Sequence, residues 1–217
     1  MRITKDIPYG PCGMLLDFYA PDQNGFDTLI WFHGGGFETG SRRDAEPLAE
    51  SITEMGLGFA SVEYRMFPMA KYPDFLLDAA WATAFLQKHG QDYGCGGRFV
   101  ISGQSAGAYI TMMLALNGAL LQNAGADESS ILAYVSESSQ QTTHYHMLRQ
   151  RGIDKRAERV DEEAPLYYVG QRPLQKPLLL IYNAEDIPCR PEQNLLMYQS
   201  IRHFQPDAPV FLKELPG

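Results

Sequence analysis

The pentapeptide Gly103-Gln104-Ser105-Ala106-Gly107 constrains this chain more than any other stretch. The apolar run Phe99-Val100-Ile101-Ser102 leads into it, and a helical pattern starts at Ala106. A strand that enters a sharp turn and leaves as a helix presents the Ser105 hydroxyl at a strained, exposed apex. The flanking glycines carry no Cβ to collide with neighbouring backbone. Gly-x-Ser-x-Gly alone arises often by chance among small loop residues. A strand before it and a helix after it make Ser105 a candidate nucleophile.

The other elements fit around that turn. Residues 1–20 suggest a hairpin, Ile3–Ile7 and Met14–Tyr19 around a turn-rich Pro8–Gly13. Continuous apolar runs at Thr28–Phe32, Gly58–Tyr64, Ile131–Val135 and Leu178–Tyr182 have the pattern of strands buried on both faces. Helices are expected over Asp44–Met55, Asp74–His89, from Ala106 through Leu121, and over Pro191–Phe204, with a final strand from Val210. In the second helix Leu77, Trp81 and Phe85 share a face, Asp74 stands as a cap after Pro73, and Gly90 ends the run. Strands alternating with helices imply an α/β fold with a mainly parallel sheet. Residues 1–217 show no linker and form one expected domain, with 136–176 long enough to be a small lid or pocket insertion.

Composition excludes some partners. A net charge of -8 argues against nucleic acid or an anionic membrane, which need clustered Lys and Arg. The N-terminus has no secretory apolar core, and no apolar run is long enough to span a bilayer. Cys12, Cys95 and Cys189 are odd in number and widely spaced, which points to a reduced, cytoplasmic protein. His144 and His146 stand two apart without a carboxylate or Cys at matching spacing, so no metal site is expected, and no cofactor. No residue pattern sets an oligomeric state.

A parallel sheet gathers chemistry at the carboxyl ends of its strands. His33-Gly34-Gly35-Gly36, Ser105 and Asp186 each follow a buried-type run and so fall on one edge. A serine hydroxyl needs an imidazole base, usually held by a carboxylate, and its tetrahedral intermediate needs amide donors. These motifs, with Glu63-Tyr64-Arg65-Met66-Phe67-Pro68, resemble the esterase/lipase branch of the α/β-hydrolase superfamily, the side that includes hormone-sensitive-lipase-like carboxylesterases. The resemblance covers nearly the whole chain in the family's order. It implies a three-layer α/β-hydrolase sandwich and hydrolysis of a small-molecule ester through an acyl-enzyme, without a cofactor. It implies Ser105 as nucleophile, Asp186 as the orienting acid (Glu185 beside it is the rival), and Gly35, Gly36 and Ala106 as oxyanion donors. His33 then supports the glycine loop, and Arg65 pairs with acids beneath it.

The family's base follows the last strand, and here Leu215-Pro216-Gly217 closes the sequence. The expectation is a chain cut before its histidine and last helix, leaving one sheet face bare and the 217 residues weakly active. A degenerate relative, or His144 or His146 reaching in from 136–176, are the other options. His203, on the helix before that strand, has the pattern of a solvated residue, and Cys189 that of a small filler. The stretch 139–147, with Thr143 and His144, is a candidate pocket wall, and Gln104 a further substrate contact. Its mixed aromatic and polar character fits small or polar esters such as acetylated sugars. An exopeptidase or acyl-peptide hydrolase, or a non-catalytic binding protein on the same fold, are the alternatives.

Overall fold

The computed structural model describes residues 1–216, so Gly217 of the expected closing turn lies outside the described residues. Strands β1 (Arg2–Tyr9) and β2 (Met14–Ala20) form the expected antiparallel hairpin. They are followed by β3 (Phe26–Phe32), α1 (Glu46–Glu54), β4 (Gly58–Val62), α2 (Asp74–His89), β5 (Cys95–Gln104) and α3 (Ala106–Leu116). Then come α4 (Gly118–Asn123), β6 (Ile131–Glu137), α5 (Tyr145–Gln150), β7 (Leu178–Asn183), α6 (Arg190–Phe204) and β8 (Val210–Leu215). The eight strands make one sheet in the order β1-β2-β4-β3-β5-β6-β7-β8, parallel from β4 onward. The order reverses between β3 and β5, because one crossover runs from β3 to β4 and the next jumps back across β3 to β5. A crevice opens at such a point on the carboxyl edge.

Alternation along the strands sorts the core into two layers. Ile30 and Phe32 of β3 join a large cluster with α2, α3 and α6, while Trp31 packs with Tyr19, Phe59 and Ala49 under α1. On the α1 side, β5 to β8 are thinly covered: Val100, Val135, Leu179 and Ile181 are half-buried and Phe211 is 57% exposed.

Helix α2 spans the expected residues with a different inward face. Phe75, Leu76, Ala79, Ala82, Thr83 and Leu86 are buried, and Leu77, Trp81 and Phe85 lie at the half-buried rim. Alanines let the helix close onto the sheet, so the bulky residues turn sideways, and Trp81 packs against Gly10 of the β1–β2 turn. Asp74 is the helix's first residue rather than its cap, and its carboxylate accepts from the Lys71 amide at 3.0 Å. The chain runs on from Gly90 through one tighter turn and reverses at Gly94, with φ of 98°. The helix expected from Ala106 through Leu121 breaks at Asn117. The Arg172 guanidinium accounts for the break: it caps α3 at the Ala115 and Leu116 carbonyls while pairing with Glu128.

Candidate active site

Ser105 sits between β5 and α3 with φ of 53° and ψ of -109°, a strained conformation for a residue with a Cβ. What holds it is local crowding. A Cβ on Gly107 would sit 2.5 Å from the Phe32 carbonyl carbon and overlap its oxygen. A Cβ on Gly103 would collide with the Gly107 carbonyl, so both glycines are demanded by close backbone approach. The Ser105 amide is anchored by the Glu137 carbonyl at 2.8 Å, and the Tyr109 amide returns to the Ser105 carbonyl at 2.9 Å.

The glycine loop lies against this turn: the space beside Gly34 is filled by Gln104 and by the Ser105 Cβ. Gly35 and Gly36 have φ of 110° and 63°, and their amides donate to no acceptor among the described residues. Ala106 is the first residue of α3, where an amide has no partner within its own helix. Three unengaged donors therefore belong to the glycine loop and to the residue after Ser105. The Tyr145 hydroxyl occupies the place a Gly36 side chain would take, so it borders the same loop. Tyr145 lies in the stretch 139–147, whose sequence suggests a pocket wall, and only the fold brings it to Gly36.

His33 is 1% exposed and stacks on Tyr64 at 4.3 Å between ring centroids. Its Nδ1 lies 2.7 Å from the Gly34 carbonyl and its Nε2 3.2 Å from Glu63 Oε1, and the Tyr64 hydroxyl donates to the His33 carbonyl at 2.7 Å. Glu63 also accepts from the Arg42 amide at 3.2 Å, and Arg42 donates onward to Asp17 at 3.0 Å. The acid bracing the glycine loop is thus Glu63. Arg65 makes a forked contact with Asp78 of α2 instead, at 2.9 and 3.1 Å.

Burial by itself would raise the Glu63 carboxyl, but the contacts from His33 and Arg42 outweigh it and hold the group below the usual carboxylate range. A carboxyl lowered on folding stabilises the fold fully above its unfolded value of about 4.3 and ceases to do so as pH falls through the lower folded value. Urea unfolding of Glu63→Gln is therefore expected to show a flatter loss of stability below about pH 4.3 than the parent. Identical acid limbs would show that Glu63 does not contribute.

Asp186 follows β7 on the same edge. Its Oδ1 accepts from the Ile187 amide at 2.7 Å, and its Oδ2 is buried without a partner among the described residues. Glu137, the last residue of β6, is raised by burial and then by the neighbouring Asp186 charge. Glu137 ends an apolar strand and carries no motif, so nothing in the sequence marks it. Its place beside both Ser105 and Asp186 comes from the β5–β6–β7 register.

The histidines do not complete a triad among the described residues. His203 is exposed on α6. His144 is 1% exposed, packed against Phe37, Tyr109 and Tyr145, and its Nδ1 accepts from the His146 amide at 3.2 Å. That bond assigns the proton to Nε2, which is buried without a partner. Burial, Arg190 and His146 push His144 well below the ordinary imidazole value, so it is neutral. Its free nitrogen carries a proton and cannot take one. Neither His144 nor His146 hydrogen-bonds Ser105 or Asp186.

The stretch 138–144 is buried throughout. The Gln193 carbonyl oxygen accepts the Gln141 amide at 2.8 Å, and Asn194 donates to Ser139 at 3.0 Å. Thr143 donates to Asp161 at 2.8 Å. Gln104 is exposed beside Gly34. Cys189 is exposed with φ of 69°, so it fills no interior space. Among the described residues no three His, Cys, Asp or Glu side chains gather to hold a metal ion.

The reversed strand order, the turn at Ser105 and the glycine loop beside it define a chain of the α/β-hydrolase class. Residues 16–146 match the BD-FAE family, and the chain belongs to that family. It is 35% identical over 123 residues to Esterase LipQ of Mycobacterium tuberculosis, covering 52% of this chain and 29% of that protein. Human hormone-sensitive lipase is 33% identical over 93 residues, covering 42% of this chain and 9% of the lipase. The chain thus spans well under half the length of these curated relatives. Among solved structures, a bacterial heroin esterase superposes over 100% of this chain and 74% of its own with a TM-score of 0.77 at 20% identity. An esterase of Pyrobaculum calidifontis covers 100% and 76% with a TM-score of 0.78 at 18% identity.

Proposed function

We propose that this chain carries the nucleophile and oxyanion half of a serine carboxylic-ester hydrolase. The observation that supports it most is Ser105, strained at its apex, with the glycine loop against its turn and the amides of Gly35, Gly36 and Ala106 unengaged among the described residues. Ser105 Oγ bonds to the ester carbonyl carbon as its proton passes to a base. The amides stabilise the oxyanion, each for about 3 kcal/mol of barrier. Collapse expels the alcohol, which takes the proton, and water then releases the acid from the acyl-serine. Asp186, with its unpartnered Oδ2, is the carboxylate that would orient the imidazole.

Small or polar esters suit this reading, and an acetyl esterase of Salmonella paratyphi B is 29% identical over 111 residues, covering 50% of this chain and 34% of that protein. Three free cysteines fit a reducing compartment, and no helix among the described residues is long and apolar enough to cross a membrane.

The test supplies a base from solution. The parent should hydrolyse p-nitrophenyl acetate slowly, and added imidazole should raise its rate on the order of tenfold above Ser105→Ala under the same conditions. A positioned base is worth more, about 10²–10⁴. Equal rates for parent and variant at every imidazole concentration would remove Ser105 as nucleophile and favour a non-catalytic binding role.

A further inference from the structure

Beside Asp186 lies a groove of about 580 Å³, lined by Tyr145, Lys155, Glu158, Ile187, Cys189 and Arg190 among others. Arg190 opens α6 and is 4% exposed. The other deeply placed arginines have carboxylate partners: Arg42 has Asp17 and Glu63, Arg65 has Asp78, and Arg172 has Glu128. Arg190 has none among the described residues. Of its five N–H donors, only Nη1 finds an acceptor among the described residues, the Ser138 carbonyl. Burial lowers the Arg190 pKa, and the nearby carboxylates of Asp186 and Glu158 offset this only in part. A buried cation with no carboxylate in direct contact is costly, and a bound anion would relieve that cost.

The groove and the candidate nucleophile share neighbours. Ser138, which holds Arg190, follows Glu137, whose carbonyl accepts the Ser105 amide at 2.8 Å. Tyr145 lines the groove and also borders Gly36. Glu158, the acid in the lining, is already engaged by Thr142 at 2.8 Å and Gln193 at 2.9 Å. Lys155 at the rim has no ion-pair partner among the described residues, whereas Arg156 pairs with Asp154.

We propose that the Arg190 groove is a specificity subsite that receives a carboxylate carried by the ester substrate. The proposal rests on the ester-hydrolase reading, and its test is binding, so the two can fail separately. In a Ser105→Ala background, monoethyl succinate carries the carboxylate on the acyl side, acetoxyacetate carries it on the alcohol side, and diethyl succinate is the neutral comparison.

Isothermal titration or NMR titration should show one anionic probe binding on the order of tenfold or more tighter than the neutral one, as expected for a charge-assisted contact. The preference should weaken as salt rises, persist in part in Arg190→Lys and vanish in Arg190→Gln. Whichever anionic probe wins tells on which side the carboxylate sits. A second measurement keeps the native arginine: bound succinate should slow iodoacetamide alkylation of the exposed Cys189, and acetamide should not. Equal binding of charged and neutral probes, a folded Arg190→Gln that keeps the preference, or no protection of Cys189 would overturn the subsite. Turnover with imidazole but no anion preference would sink the subsite alone; the reverse would sink only the ester-hydrolase reading.

Discussion

Gly107→Val is expected to leave little folded protein, and Gly107→Ala to cost about 3 kcal/mol or more, the upper range for overpacking. A Cβ at 107 meets backbone, with the Phe32 carbonyl carbon at 2.5 Å and the His33 carbonyl oxygen at 2.7 Å. Neither can rotate away as a side chain would. Relief requires the first turn of α3 to lift from the end of β3, which separates the elbow from the glycine loop. Gly13→Ala is the control. Gly13 has φ of 65° and open space around it, so alanine there should cost only the left-handed penalty of about 1–2 kcal/mol. Thermal unfolding followed by circular dichroism compares them, and a Gly107→Ala variant as stable as Gly13→Ala would contradict the steric account.

Asp78→Ala should destabilise the fold by about 2–4 kcal/mol, somewhat below the ~3–5 kcal/mol seen when one member of a fully buried pair is removed. Asp78 is 0% exposed and accepts from the Arg65 backbone amide at 2.9 Å as well as from the guanidinium. The Arg65 side chain keeps 22% exposure, which lets water relieve part of the stranded charge. The double change Arg65→Met with Asp78→Leu should recover much of the loss, because apolar replacement of both partners removes the unpaired charge. Urea midpoints give the comparison. If the double variant is no more stable than Asp78→Ala, the pair acts through the backbone contact instead.

The short-range parts of this protein were legible in its residues. Glycines that admit no Cβ, an apolar run before Ser105 and a helical pattern after it encode the elbow within a few positions. The same locality made β3, β5, β7 and the ends of α2 readable. The inward face of α2 was not, because Leu77, Trp81 and Phe85 look like a core stripe until the alanines are seen to set the distance to the sheet. The break at Asn117 was equally hidden, since the guanidinium that caps α3 comes from Arg172, more than fifty residues away.

The sequence by itself therefore determined the alternation of strands and helices, the Ser105 turn, and the glycine loop and acid on one edge. These depend on backbone freedom and hydrophobic period, which neighbouring residues set. Long-range packing is what lets Glu63 brace His33, brings Tyr145 to Gly36 and Glu137 beside Asp186, and buries Arg190 with no ion-pair partner among the described residues. Those relations turn on strand register and on which polar groups lose water together, and residues far apart in the chain reach them only once the sheet has formed.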